Sequence, residues 1–134
     1  MRIIVDTNVL ISGVFFGGWS YRVLRAWRDG KIEMVVSLAI LEEYRSVAKR
    51  LGEEFAGVDS GSFLDLLSVG ARVSVAPSLP TPVCEDPDDD KFLACALASG
   101  TRVIVSGDRA LQRVSGYRGI RVVSPRRFVE EYLE

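Results

Sequence analysis

The sequence predicts a three-layer α/β/α domain built on a parallel sheet. Three observations lead there. Five short β-branched runs recur along 134 residues, helical patterns fill the gaps between them, and 48% apolar residues suffice for one core spanning 1–134. Strands alternating with helices call for a parallel sheet covered on both faces, joined by right-handed crossovers.

The first strand covers residues 2–6, where Ile3-Ile4-Val5 ends in Asp6. The chain turns apolar again at Val9-Leu10-Ile11 and is read as a loop carrying Phe15, Phe16 and Trp19. A helix follows over 20–29, then a strand over 33–37 and a helix over 38–51. GEEFAGVDSG reads as a loop, with a helix over roughly 59–69 and a strand over 72–75. The proline-rich APSLPTPVC is a connector into an acidic cluster. Asp86 as N-cap and Pro87 at the first helical position open a helix over 87–99 that stops at Gly100. A strand over 102–106, a short turn over 109–114, a strand over 120–124 and a helix over 125–132 complete the chain.

Composition excludes several chemistries. There is no histidine, which removes a Ser-His-Asp triad, a Cys-His pair and any His-ligated metal. Carboxylates must carry the chemistry. A net charge of −1 argues against coating nucleic acid by bulk positive charge, so such a partner needs a local basic face. Arginines cluster at Arg22, Arg25 and Arg28 and at Arg118, Arg121, Arg126 and Arg127, where solvated helix faces account for most of them. No apolar run is long enough to span a bilayer, and the first residues feed into a strand, so the expected location is cytoplasmic. Cys84 and Cys95 are then expected to be free thiols.

Four acids fall toward one edge of the sheet. Asp6 and Asp108 each follow a strand, Asp89 lies in the first turn of a helix, and Glu43 in the second turn of another; carboxyl ends of strands and amino ends of the following helices share an edge. Helical facing sorts the neighbours. Phe92, Leu93, Ala96 and Leu97 define a buried stripe with Asp89 near its centre and Asp88 and Asp90 to either side. In the earlier helix, Glu43 sits at the edge of the stripe whereas Glu42 points to solvent. Each has a plainer role to compete with: Asp89 as the third member of a capping box, Glu43 as an exposed helix glutamate. Four convergent carboxylates with few lysines nearby would repel unless protons or cations shared the site. Mg²⁺ or Mn²⁺, which takes oxygen ligands, is the natural occupant, with Asn8 and Ser106 orienting the ligands.

DTNVLISG, LEEY, EDPDDDKFLACAL and VSGDRAL, in that order, resemble the PIN domain family, and most closely its branch of toxin components of toxin–antitoxin pairs. The resemblance runs from Met1 to about Pro125. It implies a five-stranded parallel sheet in order 3-2-1-4-5 and an endoribonuclease using one or two Mg²⁺ or Mn²⁺ ions, with acids at Asp6, Glu43, Asp89 and Asp108. Asp86 and Asp90 match acidic or polar positions beside the third acid. It further implies a single-stranded RNA substrate, a homodimer and an antitoxin partner. The mechanism that fits is phosphodiester hydrolysis by metal-activated water.

Three rivals remain. A haloacid-dehalogenase-type phosphotransferase also opens on a strand-end aspartate, but it wants an acid where Asn8 stands and a well-placed lysine, which none of Lys31, Lys49 and Lys91 supplies. A catalytically silent PIN-like module that binds RNA or protein is the second. An RNA-processing nuclease with no antitoxin is the third.

Overall fold

A computed structural model of the chain describes residues 1–54 and 60–134. Five strands, β1 (Arg2–Val5), β2 (Glu33–Val36), β3 (Arg72–Val73), β4 (Val103–Val105) and β5 (Arg121–Val123), form one parallel sheet in the order β3-β2-β1-β4-β5. Helices cover both faces, as the sequence predicts. In the central strand β1, Ile3, Ile4 and Val5 are fully buried. A continuous apolar run is what a strand sandwiched between two helical layers requires. Register sets the site: Val5 lies opposite Val105, and the Asp6 N–H donates to the Val105 carbonyl at 2.9 Å. Strands β1 and β4 therefore end level, bringing Asp6 and Ser106 to the same edge.

Seven α-helical segments occur among the described residues: α1 (Thr7–Phe15), α2 (Gly18–Arg28), α3 (Leu38–Glu54), α4 (Ser60–Gly70), α5 (Asp90–Ser99), α6 (Arg109–Gln112) and α7 (Pro125–Phe128). All but α1 fall within a few residues of the sequence reading. Helix α1 replaces the loop expected after the first strand. Its Val9, Ile11, Val14 and Gly13 are poor helix formers, and burial of Thr7, Val9, Leu10, Ile11 and Gly13 leaves little polar stripe to read. Tertiary packing decides it. Gly13 is required there, because a Cβ would stand 2.6 Å from a Leu24 methyl carbon and 3.0 Å from the Ser20 carbonyl oxygen where α1 crosses α2. Phe15 thus ends α1, Phe16 follows it, and Trp19 belongs to α2.

Smaller differences follow from local chemistry. The helix expected over 87–99 begins as a 3-10 turn, Pro87–Asp89, and becomes α-helical only at Asp90. Helix α7 runs on into a π-helical turn, Val129–Leu133. Edge strand β3 is only two residues long, both exposed, which limits edge pairing. The expected loop GEEFAGVDSG starts inside α3, and its residues 55–59 lie outside the described residues. Both cysteines are free and buried. No helix among the described residues is long and apolar enough to cross a membrane. The apolar residues of α2, Val23, Leu24, Ala26 and Trp27, face the core, so the exposed apolar surface there comes from Phe16, Trp19 and Tyr21 rather than from the helix as a whole.

Candidate active site

Asp6 enters the site from β1 with its side chain almost wholly buried. It has the extended backbone of an N-cap residue for α1 but makes no side-chain cap. Instead its Oδ2 accepts a 2.6 Å hydrogen bond from the Ser106 hydroxyl. Burial pushes its pKa up, the Ser106 hydroxyl and the Asn8 backbone N–H pull it back, and the charges of Asp108 and Glu43 raise it again. Ser106 also accepts from the Asp108 N–H at 3.0 Å, so one buried hydroxyl ties the acid after β1 to the loop after β4. The orienting role expected of Ser106 has this geometry. Asn8 contributes its backbone N–H toward Asp6, while the residue itself is exposed.

The remaining acids differ in exposure and in partners. Asp89, at the junction of the 3-10 turn and α5, is half-buried and caps neither element with its side chain. Its pKa rises to about 6, first through burial and then through the charges of Asp6, Asp86, Asp108 and Glu43. Asp88 is exposed. Asp86 is the N-cap, its carboxylate accepting from the Asp88 N–H at 3.0 Å. Asp90 turns away from the site: burial opposes its charge, but the backbone N–H groups of Cys84 and Val83, at 2.7 and 3.1 Å, hold its pKa below the ordinary carboxylate value. It anchors the proline-rich connector. The same carboxylate helps push the Cys84 thiol, already raised by burial, to about 12.

Glu43 leans inward from α3 while Glu42 is exposed. One Glu43 oxygen accepts from the Thr7 hydroxyl and the other from the Lys91 ammonium at 2.7 Å. Lys91 thus reaches from α5 to Glu43 of α3. Neither Thr7 nor Lys91 is marked out by the sequence, because both partners are distant in the chain. Next to Glu43, the buried Tyr44 hydroxyl donates to the Val5 carbonyl, fixing α3 against the end of β1. Asp108 caps α6, its Oδ1 accepting from the Ala110 N–H at 2.9 Å.

Burial and neighbouring charge raise Asp6 and Asp89, and hard oxygen donors suit a divalent cation. Yet among the described residues no three acids stand close enough to grip one ion. Glu43 is already held by Thr7 and Lys91, and Asp108 by the start of α6; the donor set suits a cation by its chemistry alone. Two clefts flank the acids. One, of about 460 Å³, is lined by Asn8, Ser12, Ser20, Asp108, Arg109 and Pro125 among others. The second, of about 370 Å³, lies along Ser37, Asp88, Asp90 and Lys91.

A parallel sheet in order β3-β2-β1-β4-β5 with acids at its carboxyl edge is the architecture of a nuclease family. The chain belongs to the PIN domain family, whose sequence pattern matches residues 2–110 and whose members are in general nucleases. It is 29% identical over 145 residues to Uncharacterized protein MJ1680 of Methanocaldococcus jannaschii, covering 98% of this chain and 92% of that one. Among solved structures it is similar in fold to the crystal structure of VapBC2 from Rickettsia felis bound to a DNA fragment from their promoter. That match has a TM-score of 0.55 at 10% identity, covering 91% of this chain and 97% of the other.

Proposed function

We propose that the protein is a metal-dependent endoribonuclease that hydrolyses phosphodiester bonds of single-stranded RNA, with Asp6, Glu43, Asp89 and Asp108 as its catalytic acids. The observation that carries the proposal is the convergence of acids at one sheet edge: the Ser106 hydroxyl joins Asp6 to the backbone of Asp108, Glu43 leans in from α3 to the Thr7 hydroxyl beside Asp6, and Asp89 is pushed up first by burial and then by the charges of Asp6, Asp86, Asp108 and Glu43. One or two Mg²⁺ or Mn²⁺ ions held by these acids would polarise the phosphate and lower the pKa of the attacking water.

The chain's own residues prepare that site. Ser106 holds the Asp6 carboxylate in one orientation and ties it to the Asp108 loop. Ile4, Val5 and Leu10 are fully buried, so Asp6 emerges directly from the apolar core. The cleft beside Asp108 offers exposed Arg109 for a phosphate. Trp19, next in sequence to Ser20 of the cleft lining, carries the Arg22 and Arg126 guanidinium groups at 4.9 and 5.7 Å from its ring centre, although Arg22 and Arg126 also pair with Glu134 and Glu130.

The biological role we attach is the toxin of a toxin–antitoxin pair, acting as a cytoplasmic homodimer restrained by an antitoxin. Support comes from the fold shared with the VapBC2 complex and from the motif order of the sequence. A second reading, a module that binds RNA or protein without cutting, draws on the spacing of the acids and on the lysine bound to Glu43. Incubation with unstructured RNA in Mn²⁺ and in chelator separates the two. Cleavage only with metal supports the nuclease; binding with no cleavage under either condition supports the module.

A further inference from the structure

We propose that Lys91 is a resident counter-ion of the acid cluster, which holds Glu43 in the metal-free protein and releases it when a divalent cation enters. The inference rests on the reading of Asp6, Glu43, Asp89 and Asp108 as metal ligands. Its own ground is the geometry of the lysine.

The Lys91 ammonium lies 2.7 Å from one Glu43 oxygen, with the two side chains only 17% and 26% exposed. The other Glu43 oxygen is taken by Thr7. Both oxygens of this carboxylate are therefore engaged. A cation bound to Glu43 would stand within a few ångströms of the ammonium, where like charges in a half-buried site repel, so the two compete for the carboxylate.

The structure provides somewhere for the lysine to go. Asp88, one helical turn earlier and 79% exposed, already has an oxygen 3.8 Å from the ammonium. The two residues line the same cleft of about 370 Å³, with Asp90 and Ser37 on its walls. A lysine on its four-carbon stem can swing from Glu43 to Asp88 and stay charged and paired, so the move strands no buried charge. One positive charge leaves the cluster as two enter. An arginine in this place would grip Glu43 with two parallel bonds and release it less readily.

The test measures Mn²⁺ binding by calorimetry and melting temperature in chelator for the full chain, Lys91→Met and Lys91→Arg. Lys91→Met should melt lower in chelator, because the acids lose their cation, yet bind Mn²⁺ about tenfold more tightly. Lys91→Arg should bind it severalfold more weakly, a result that decides the matter if Lys91→Met does not fold. Unchanged affinity in both variants would make Lys91 a structural pin, and weaker binding in Lys91→Met would make it a support for Glu43 as ligand; either overturns the proposal. Failure of the unsubstituted protein to bind Mn²⁺ would overturn the metal reading and this inference with it, whereas binding that ignores residue 91 would overturn this inference alone.

Discussion

The Tyr44 hydroxyl donates to the main-chain carbonyl of Val5, joining the residue after Glu43 to the residue before Asp6. Tyr44 is fully buried, so this bond sets the separation of two candidate acids from within the core. Tyr44→Phe keeps the ring and leaves a buried carbonyl unpaired, which should cost about 1–3 kcal/mol of stability. Denaturant unfolding would measure that. RNA cleavage should fall too at temperatures where the variant stays folded, and an unchanged rate would show that the bond does not position the acids.

The facing of the acids gives a paired prediction. Glu43→Gln should cost far more cleavage activity than Glu42→Gln, and Asp89→Asn far more than Asp88→Asn, because only the first of each pair turns toward the cluster. Rates for the four variants on one RNA decide it. Similar losses within either pair would contradict the site.

Ser106→Ala removes the hydroxyl that donates to Asp6 and accepts from the Asp108 N–H. Groups that orient metal ligands are typically worth about 10–100-fold in affinity or activity. Ser106→Ala should therefore weaken Mn²⁺ binding within that range, and Ser106→Thr, which keeps the hydroxyl, should lose less. Calorimetric titration of both variants would show whether the hydroxyl or only the space it fills matters.

Stability should depend on pH through Asp89, whose pKa rises from the ordinary 3.8 to about 6 in the folded chain. Between those values the folded protein holds a proton that the unfolded chain has released, so metal-free stability falls as pH rises through the window. The penalty is absent at lower pH and complete above about 6. Asp89→Asn should melt higher than the unsubstituted protein at pH 7 in chelator, with the advantage shrinking toward pH 4. Mn²⁺ should stabilise the unsubstituted protein much more than the variant. A drop in the variant that metal and pH leave unchanged would return Asp89 to the role of a helix-terminal acid, worth about 0.3–1 kcal/mol.

Much of this architecture was legible because its signals are local. Buried strands such as Ile3-Ile4-Val5 are continuous apolar runs, and the start of the fifth helical region is written in Asp86-Pro87. The lesser exposure of Glu43 and Asp89 than of Glu42 and Asp88 was legible because helical facing needs only neighbours in sequence. Helix α1 was not, since a short helix buried on most sides carries no polar stripe and its Gly13 and β-branched residues argue against it. Lys91 and Thr7 escaped notice for another reason: they meet Glu43 across 48 and 36 residues, and no local pattern encodes such a meeting. The strand order came from the family resemblance, because spacing alone does not determine which strands become neighbours.

The most direct measurement is cleavage of a single-stranded RNA by the purified full chain and by Asp6→Asn, each assayed in Mn²⁺ and in excess chelator with folding checked alongside. Asp6→Asn keeps the shape of the side chain that Ser106 holds and removes its charge. The account predicts cleavage by the unsubstituted protein in Mn²⁺ alone, and none by the folded variant under either condition. Cleavage that persists in chelator, or a folded Asp6→Asn that cuts as fast as the unsubstituted protein, would contradict it.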